Sequence, residues 1–431
     1  MMTKITRITA LMLALLLILT GCSGSTGENT TTAATTTVLS EDRETLKVYV
    51  FNYNGTDTSI GCVRSFARLN EDRIDVQIEE FTDVESMEER LKVELGIGQG
   101  PDVILADSNF TLDMMSIAEN GAFYDMTDII TADETFNEEN YYTNVMKGGQ
   151  VDGRQYIIPL TFSVLSFCST EAKLENTGID WDNAAPAEVY RRTLDYLKAE
   201  ESCRITGYHW YKQLASALMG TLGIDPADYG ETYTLEDEHI RTILELAAEC
   251  YRQRAEFMKK GLPGWMNEFF PEAGKLPLHL SYSGDSPLTL AHACAGFVRN
   301  EEDADFKIYI PPMNEDGDVC ALIIKYAVIS MNCQNPELAW ELICYMMNSS
   351  VYAGDYGVSL SRELVRTGGL PKDRGEQVLN AYNHVTDAIL IQTAGASLLI
   401  DDAMRSIASG EADIDVISGQ LSNQLYLYAN E

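Results

Sequence analysis

The sequence predicts an α/β protein organised as two globular domains, and three observations carry that expectation. A chain of 431 residues with 45% hydrophobic content is too long for one core and rich enough to fill two. Between Thr45 and Asp107, short alternating apolar runs take turns with amphipathic ones in the order strand–helix–strand–helix–strand. That order implies a parallel sheet whose ligands lie beyond the carboxyl ends of its strands. Finally, Asp152–Phe167 carries two β-rich runs joined at a proline, with serines set among apolar residues, as where a backbone crosses a polar cleft.

The chain opens with a basic stretch containing Lys4 and Arg7, followed by the apolar run Ile8–Leu19, too short to serve comfortably as a permanent span. The run ends in Leu19-Thr20-Gly21-Cys22, which resembles the lipobox of bacterial lipoproteins. Residues 1–21 are therefore expected to be a signal peptide, and Cys22 the thiol that carries a lipid. More than one acyl chain would make the attachment stable. Residues 22–44 are rich in Ser, Thr and Gly with almost no apolar mass, and are expected to form a flexible tether.

Thirty-one basic against sixty-six acidic residues give a net charge of −35. Removal of Lys4 and Arg7 with the first 21 residues makes it −35 − 2 = −37. A field of that sign disfavours nucleic acid and anionic headgroups and keeps an exported protein soluble. Eight of the nine cysteines remain after Cys22, and none form a C-x-x-C pair, so zinc and thioredoxin-like chemistry have no support. An exported compartment permits disulfides, but Cys168, Cys250 and Cys344 sit in apolar segments, and mostly free thiols are expected.

In order, Thr45–Asn52 reads as a strand followed by the polar loop Tyr53-Asn54-Gly55, and Asp57–Asn70 as a helix. Ile74–Glu80 is a second strand; Thr82-Asp83-Val84-Glu85 has the capping-box pattern, and the helix it opens ends at Gly96. Pro101–Asp107 is a third strand, leading into Ser108 and Asn109. Val151-Asp152-Gly153-Arg154 reads as a turn, Tyr156–Ile158 as a short strand ended by Pro159, and Phe162–Phe167 as another. The middle, Trp181–Gly261, is mostly helical, most strongly over Arg241–Met258. Leu278–Ser281, Phe306–Pro311 and Cys320–Ile324 follow as strands, with Asn314–Asp318 a turn that lacks the ligand spacing of a calcium loop. Asn335-Pro336 starts a helix that places Trp340 with Leu338, Leu342 and Met346 on a core face, whereas Trp181 reads as surface packing.

The succession of the lipobox, Leu95–Asp107, Gly121–Ile129, Asp152–Phe167, Tyr326–Met347 and the closing helix ending Leu425-Tyr426-Leu427-Tyr428 resembles the extracellular solute-binding proteins of ABC importers. The likeness is greatest to the carbohydrate-binding group related to maltose-binding protein, and it spans nearly the whole chain. It implies a periplasmic-binding-protein-like fold of two α/β lobes joined by crossovers, with the solute held between them. The resemblance divides the chain into one lobe of residues 45–161 and 326–390 and another of residues 162–325 and 391–431. It further implies a small-molecule solute, a membrane permease as partner, attachment to the outer face of the cell membrane, a monomer and no cofactor.

Carried over position by position, the resemblance assigns solute contacts to Tyr53 and Asn54 after the first strand, and to Asp107 and Ser108 after the third. Phe162 and Ser163 match the first crossover, and Lys325 and Tyr326 the second. His209, Trp210 and Tyr211 lie where aromatic stacking residues are usual, and Tyr282, Ser283 and Asp285 follow a late strand that faces the cleft. Trp265 is a weaker candidate. Ala394–Ile400 has no aromatic where the group often has one, so the stacking arrangement is expected to differ. Sugars present apolar C–H faces and rings of hydroxyls, so flat aromatic surfaces with amides and carboxylates are the residue types such a site needs.

Enzymatic readings find little. No H-E-x-x-H, G-x-S-x-G or Walker A motif occurs among the residues, and only five histidines are present. Gly284-Asp285-Ser286 matches a short hydrolase block, but out of place and without an Asp-x-x-His partner. The expectation is a reversible solute receptor, not an enzyme. The alternatives are a surface glycosidase, a sensor without transport, or a receptor for a non-sugar solute such as a peptide.

Overall fold

The computed structural model describes residues 43–52, 58–170, 175, 177–181, 184–199, 214–226, 238–259, 289–292, 306–349, 358–365, 372–392, 394–411 and 413–430. β1 (Glu44–Phe51) has its last four residues buried, as a strand flanked on both faces requires. α1 (Thr58–Leu69) buries Ile60, Val63 and Phe66 in the same core as β1. β2 (Ile74–Phe81) then pairs in parallel with β1 along its whole length. α2 (Val84–Gly96) is capped by Asp83, whose carboxylate accepts from the Ser86 N–H at 2.8 Å and its hydroxyl at 2.6 Å. The cap falls one residue later than Thr82 because this carboxylate satisfies two donors at once. β3 (Val103–Asp107), wholly buried, lies parallel to β1 on its other side.

α3 (Met114–Glu119) and α4 (Thr127–Ala132) are short. β4 (Gln150–Val151) and β5 (Arg154–Gln155) form a hairpin whose turn residues, Asp152 and Gly153, both have positive φ (49° and 75°), the geometry that matches strand twist. β6 (Ile157–Ser163) is followed after one residue by β7 (Leu165–Thr170). α5 (Pro186–Ala199), α6 (Leu214–Gly220) and α7 (Glu238–Lys259) make up the helical middle. β8 (Thr289–His292), β9 (Phe306–Tyr309) and β10 (Val319–Ile329) come next, then α8 (Pro336–Met347) and β11 (Val358–Ser359). The chain closes with α9 (Lys372–Asn383), β12 (Val385–Leu390), α10 (Gly395–Ser409) and α11 (Ile414–Asn430). Among the described residues, no helix is long and apolar enough to cross a membrane.

Two apolar cores result. The first is built on a seven-stranded mixed sheet in the order β11-β6-β10-β3-β1-β2, with β12 also paired to β10. The second gathers β7, the helices α5, α6, α7, α10 and α11, and one face of β10. β7 is the middle strand of a three-stranded antiparallel sheet, β8-β7-β9. The chain changes sheets at Val164, between β6 and β7, so the predicted run Phe162–Phe167 is two strands and not one. β10 serves both cores: along Val319–Ile324, residues 319, 321 and 323 point into the first and 320, 322 and 324 into the second, the period-2 alternation of a strand covered on both sides.

Other expectations shift for physical reasons. β6 runs on through Pro159, which faces Tyr326 of β10 where the register already slips, so the missing N–H falls at an interrupted ladder. β10 is continuous, so Lys325 and Tyr326 lie within a strand that serves both cores. Trp181 is half-buried, with its ring against Phe167 and Tyr309 of the second core and its indole N–H on Thr177, so it is more than surface packing. β8 had no counterpart in the sequence reading, and the predicted strand Leu278–Ser281 lies outside the described residues. Trp340 is buried in α8 and donates to Asp133 at 2.9 Å. Cys62, Cys250, Cys320, Cys333 and Cys344 are free thiols, and burial pushes Cys333 up to about 12. The Asn314–Asp318 turn is closed on itself, the Asn314 side chain accepting from the Asp316 and Asp318 N–H groups.

Candidate functional site

Six of the predicted contact residues come together at the middle of β10. The β3–β10 register sets Asp107 directly opposite Lys325 and Ala106 opposite Tyr326. On the other side of β10, β6 sets Phe162 opposite Ile323, Ser163 opposite Leu322, and Thr161 opposite Lys325. Directly opposed residues in an antiparallel pair share a face, so Asp107, Lys325 and Thr161 form a polar row across three strands. β11 extends the row with Ser359, opposite Thr161. All four are buried, an arrangement that apolar packing alone would not produce.

Ser108 continues from this row: its N–H donates to the Ile324 carbonyl at 2.9 Å, leaving the side chain half-buried at the sheet edge. Asp107 orients the loop by accepting from the Asn109 N–H at 2.8 Å. On the same edge of β10, the Ile391 N–H donates to the Ile323 carbonyl at 3.2 Å. Successive carbonyls of a regular strand face opposite edges. Here Ile323 and Ile324 serve the same edge, at the register shift between Ile323 and Lys325. The irregularity brings the loop after β3 and the segment after β12 side by side.

The six residues do not have equal access. Phe162 is fully buried, with its ring edge-on to Tyr142 and Tyr382, a core position. Ser163 is equally buried and donates to the Val164 carbonyl. Tyr326 is enclosed, its hydroxyl without a hydrogen-bond partner, and burial holds its phenol far above the ordinary range, with Asp107, Glu88 and Asp113 adding to the effect. The Thr161 hydroxyl is likewise buried without a partner. Tyr53, Asn54, His209, Trp210, Tyr211, Trp265, Tyr282, Ser283, Asp285 and the lipidation residue Cys22 lie outside the described residues.

Two residues at the site were not singled out from sequence. Asn52, 2% exposed at the carboxyl end of β1, hydrogen-bonds Glu80 through its side chain and Phe81 through its backbone N–H. It was read as the last residue of a strand, and its position beside β3 is the signal that could have found it. Glu88, on α2, is 4% exposed and accepts from Thr111 and Leu112, bracing the loop after β3. In sequence it is one acid among many on a helix, and no local pattern marks it. Among the described residues, no group of acids, histidines and cysteines is placed to hold a metal ion.

What this arrangement can do is bind. A polar row lies where two cores share a strand, bordered by the loop after β3 and the segment after β12. Residues 62–357 match the model of a family described as bacterial extracellular solute-binding protein. No curated protein sequence matches the chain. Among solved structures, the chain is similar to the sugar-binding protein MalE from Xanthomonas citri, with 13% identity and a TM-score of 0.62 over 90% of this chain and 97% of that one. It is similar to a chitin oligosaccharide binding protein, with 14% identity and a TM-score of 0.59 over 90% of this chain and all of that one. A third is the ABC substrate-binding protein Lmo0181 from Listeria monocytogenes in complex with cycloalternan, at 14% identity, with a TM-score of 0.58 and coverage of 89% and 98%. At such identities the likeness establishes the fold, a two-lobed α/β architecture with a cleft between lobes joined by crossovers.

Proposed function

The chain belongs to the bacterial extracellular solute-binding proteins, and we propose that it is a lipid-anchored receptor that reversibly binds a sugar or oligosaccharide and delivers it to an ABC permease. The observation that carries this reading is the convergence on β10: residues from three separate segments, Asp107-Ser108, Thr161–Ser163 and Lys325, meet where the two cores share a strand. Binding between lobes pulls an open–closed equilibrium towards the closed form that a permease recognises. The lobes take residues 45–161 with 326–390 and residues 162–325 with 391–431. Core membership follows this division except near the crossovers and at Ile308 and Ile389, since the first core draws on residues 46–164, 308 and 319–388.

Sugar is favoured by the solutes named for similar structures and by the aromatic cluster His209, Trp210 and Tyr211, which offers stacking surfaces for apolar sugar faces. Cys22 anchors the chain, residues 22–44 give it reach, and the excess of acidic residues keeps it soluble outside the cell.

The test is a thermal-shift screen of the chain from Ser23 onward against mono- and oligosaccharides, polyols, amino acids and short peptides. A ligand at about 1,000 times its Kd stabilises by about 4 kcal/mol, which raises the melting midpoint by several degrees. A sugar that stabilises and is recovered chemically unchanged supports the receptor. A response to peptides alone overturns the solute class, and consumption of the sugar overturns the receptor in favour of a glycosidase.

A further inference from the structure

The loop from β3 to α3 is tied at five successive backbone amides, Ser108 to Leu112. Ser108 donates to Ile324, Asn109 to the Asp107 carboxylate and Phe110 to the Asp107 carbonyl, at 2.9, 2.8 and 3.1 Å. The Thr111 and Leu112 amides both donate to buried Glu88, and the Thr111 hydroxyl donates to its other oxygen. A loop tied at five amides in a row moves as one piece. One end holds Asp107 and Ser108 at the polar row. The other end is Asp113.

Asp113 is bonded to the other lobe. Its Oδ1 accepts from the Ser116 N–H at 3.1 Å, capping α3, and from Gln392 Nε2 at 3.2 Å. Gln392 Oε1 in turn accepts from the Met114 N–H at 3.2 Å. The Asp113 Oδ2 accepts from the Tyr428 hydroxyl on α11. Phe110, Leu112 and Met114 belong to the first core, whereas Ile391, Ala394 and Leu425 belong to the second, and Tyr428 packs against that second core. Gly395, with φ of 56°, permits the approach, because a Cβ there would lie 2.6 Å from both the Asp113 carboxylate and the Tyr428 hydroxyl. Burial, reinforced by Asp113, pushes the Tyr428 phenol far up, so it remains a donor at any ordinary pH.

We infer that Asp113, Gln392 and Tyr428 form an inter-lobe latch, and that the Glu88-braced loop couples this latch to the solute face at Asp107 and Ser108. The physical reason is tolerance. A hydrogen bond survives displacements of only tenths of an ångström, so a bond between residues of different lobes breaks or re-forms when the lobes rotate. Because the connecting loop is rigid, a shift at one end is felt at the other, and the coupling is reciprocal. Tyr428 and Gln392 thereby influence the lobe angle without contributing to the polar row.

The inference takes its functional meaning from the receptor reading, but its test needs no solute, so the two can fail separately. Hydrogen–deuterium exchange and small-angle X-ray scattering are measured on the solute-free protein, the Tyr428→Phe variant and, as a second perturbation that leaves α11 untouched, the Gln392→Ala variant. Both substitutions are expected to accelerate exchange at the Ser108–Leu112 amides by about tenfold, the equivalent of about 1.4 kcal/mol and of one hydrogen bond. Both are also expected to change the radius of gyration. Reciprocally, Glu88→Gln is expected to accelerate exchange at Ile391. Exchange that changes only within α11, or scattering identical to the parent protein in both latch variants, would overturn the latch.

Discussion

Asp401 offers the sharpest energetic prediction. It lies on α10, the helix that starts beside the latch, and is 1% exposed between α10 and α7. The Tyr251 hydroxyl donates to one of its oxygens at 2.7 Å and Arg405 Nη2 lies 3.0 Å from the other. Burial dominates and raises the carboxyl from 3.8 to about 7; Tyr251 and Arg405 pull the other way, and Asp402 adds to the rise. A group that holds its proton more tightly folded than unfolded stabilises the fold at low pH and loses that contribution as pH rises. The loss begins near the unfolded value of about 4 and is complete above about 7. Over the whole range it is on the order of 4 kcal/mol, at about 1.36 kcal/mol per pH unit, of which about 2.5 kcal/mol falls between pH 5 and pH 8.

Many other carboxylates titrate over the same range, so the comparison that isolates this one is with Asp401→Asn, a neutral isostere. Urea unfolding of both proteins at pH 5 and pH 8 gives two stability differences. The variant is expected to gain on the parent protein by about 2.5 kcal/mol on going from pH 5 to pH 8, and the gap then stays constant to pH 9. Parallel pH profiles would refute the reasoning, because they would mean that Arg405 keeps Asp401 ionised inside the fold. For an exported protein that meets the pH of its surroundings, the consequence is a second lobe that is firmer in mild acid.

Three further outcomes follow from the same features. Thr161→Val replaces a buried hydroxyl that has no partner with a methyl of similar size, and is expected to stabilise the fold by about 1 kcal/mol in urea unfolding; destabilisation would show that the hydroxyl is satisfied in solution. Trp210→Ala is expected to weaken solute binding at least ~10-fold, about 1.4 kcal/mol, with the melting midpoint retained, and unchanged affinity in calorimetry would remove Trp210 from the site. Cys22→Ser is expected to abolish incorporation of labelled palmitate and release the protein from the cell surface, whereas labelling that persists would relocate the anchor.

The predicted elements of the first sheet were legible because each depends on neighbours in sequence. Leu46, Val48 and Val50 alternate within β1, and Asn335-Pro336 marks the start of α8, whatever the rest of the chain does. Pro159 shows where local reasoning ends: proline stops a strand unless the partner strand slips beside it, and that slip is a property of β10. The capping of α2 was read one residue early, since Thr82 and Asp83 are both good caps and only the turn geometry chooses between them.

The same division holds for function. By itself, the sequence determined the α/β class, which rests on periodicity along the chain, while the export signal and the contact residues are expectations it raised, the latter through a family resemblance. Tertiary structure alone decided that Asp107, Lys325 and Thr161 lie in one row, that Phe162 serves the core, and that Asp113 meets Gln392 and Tyr428 some 280 and 315 positions further on. Strand register and lobe contact are set by how distant segments share a buried edge. No window of neighbouring residues contains that information.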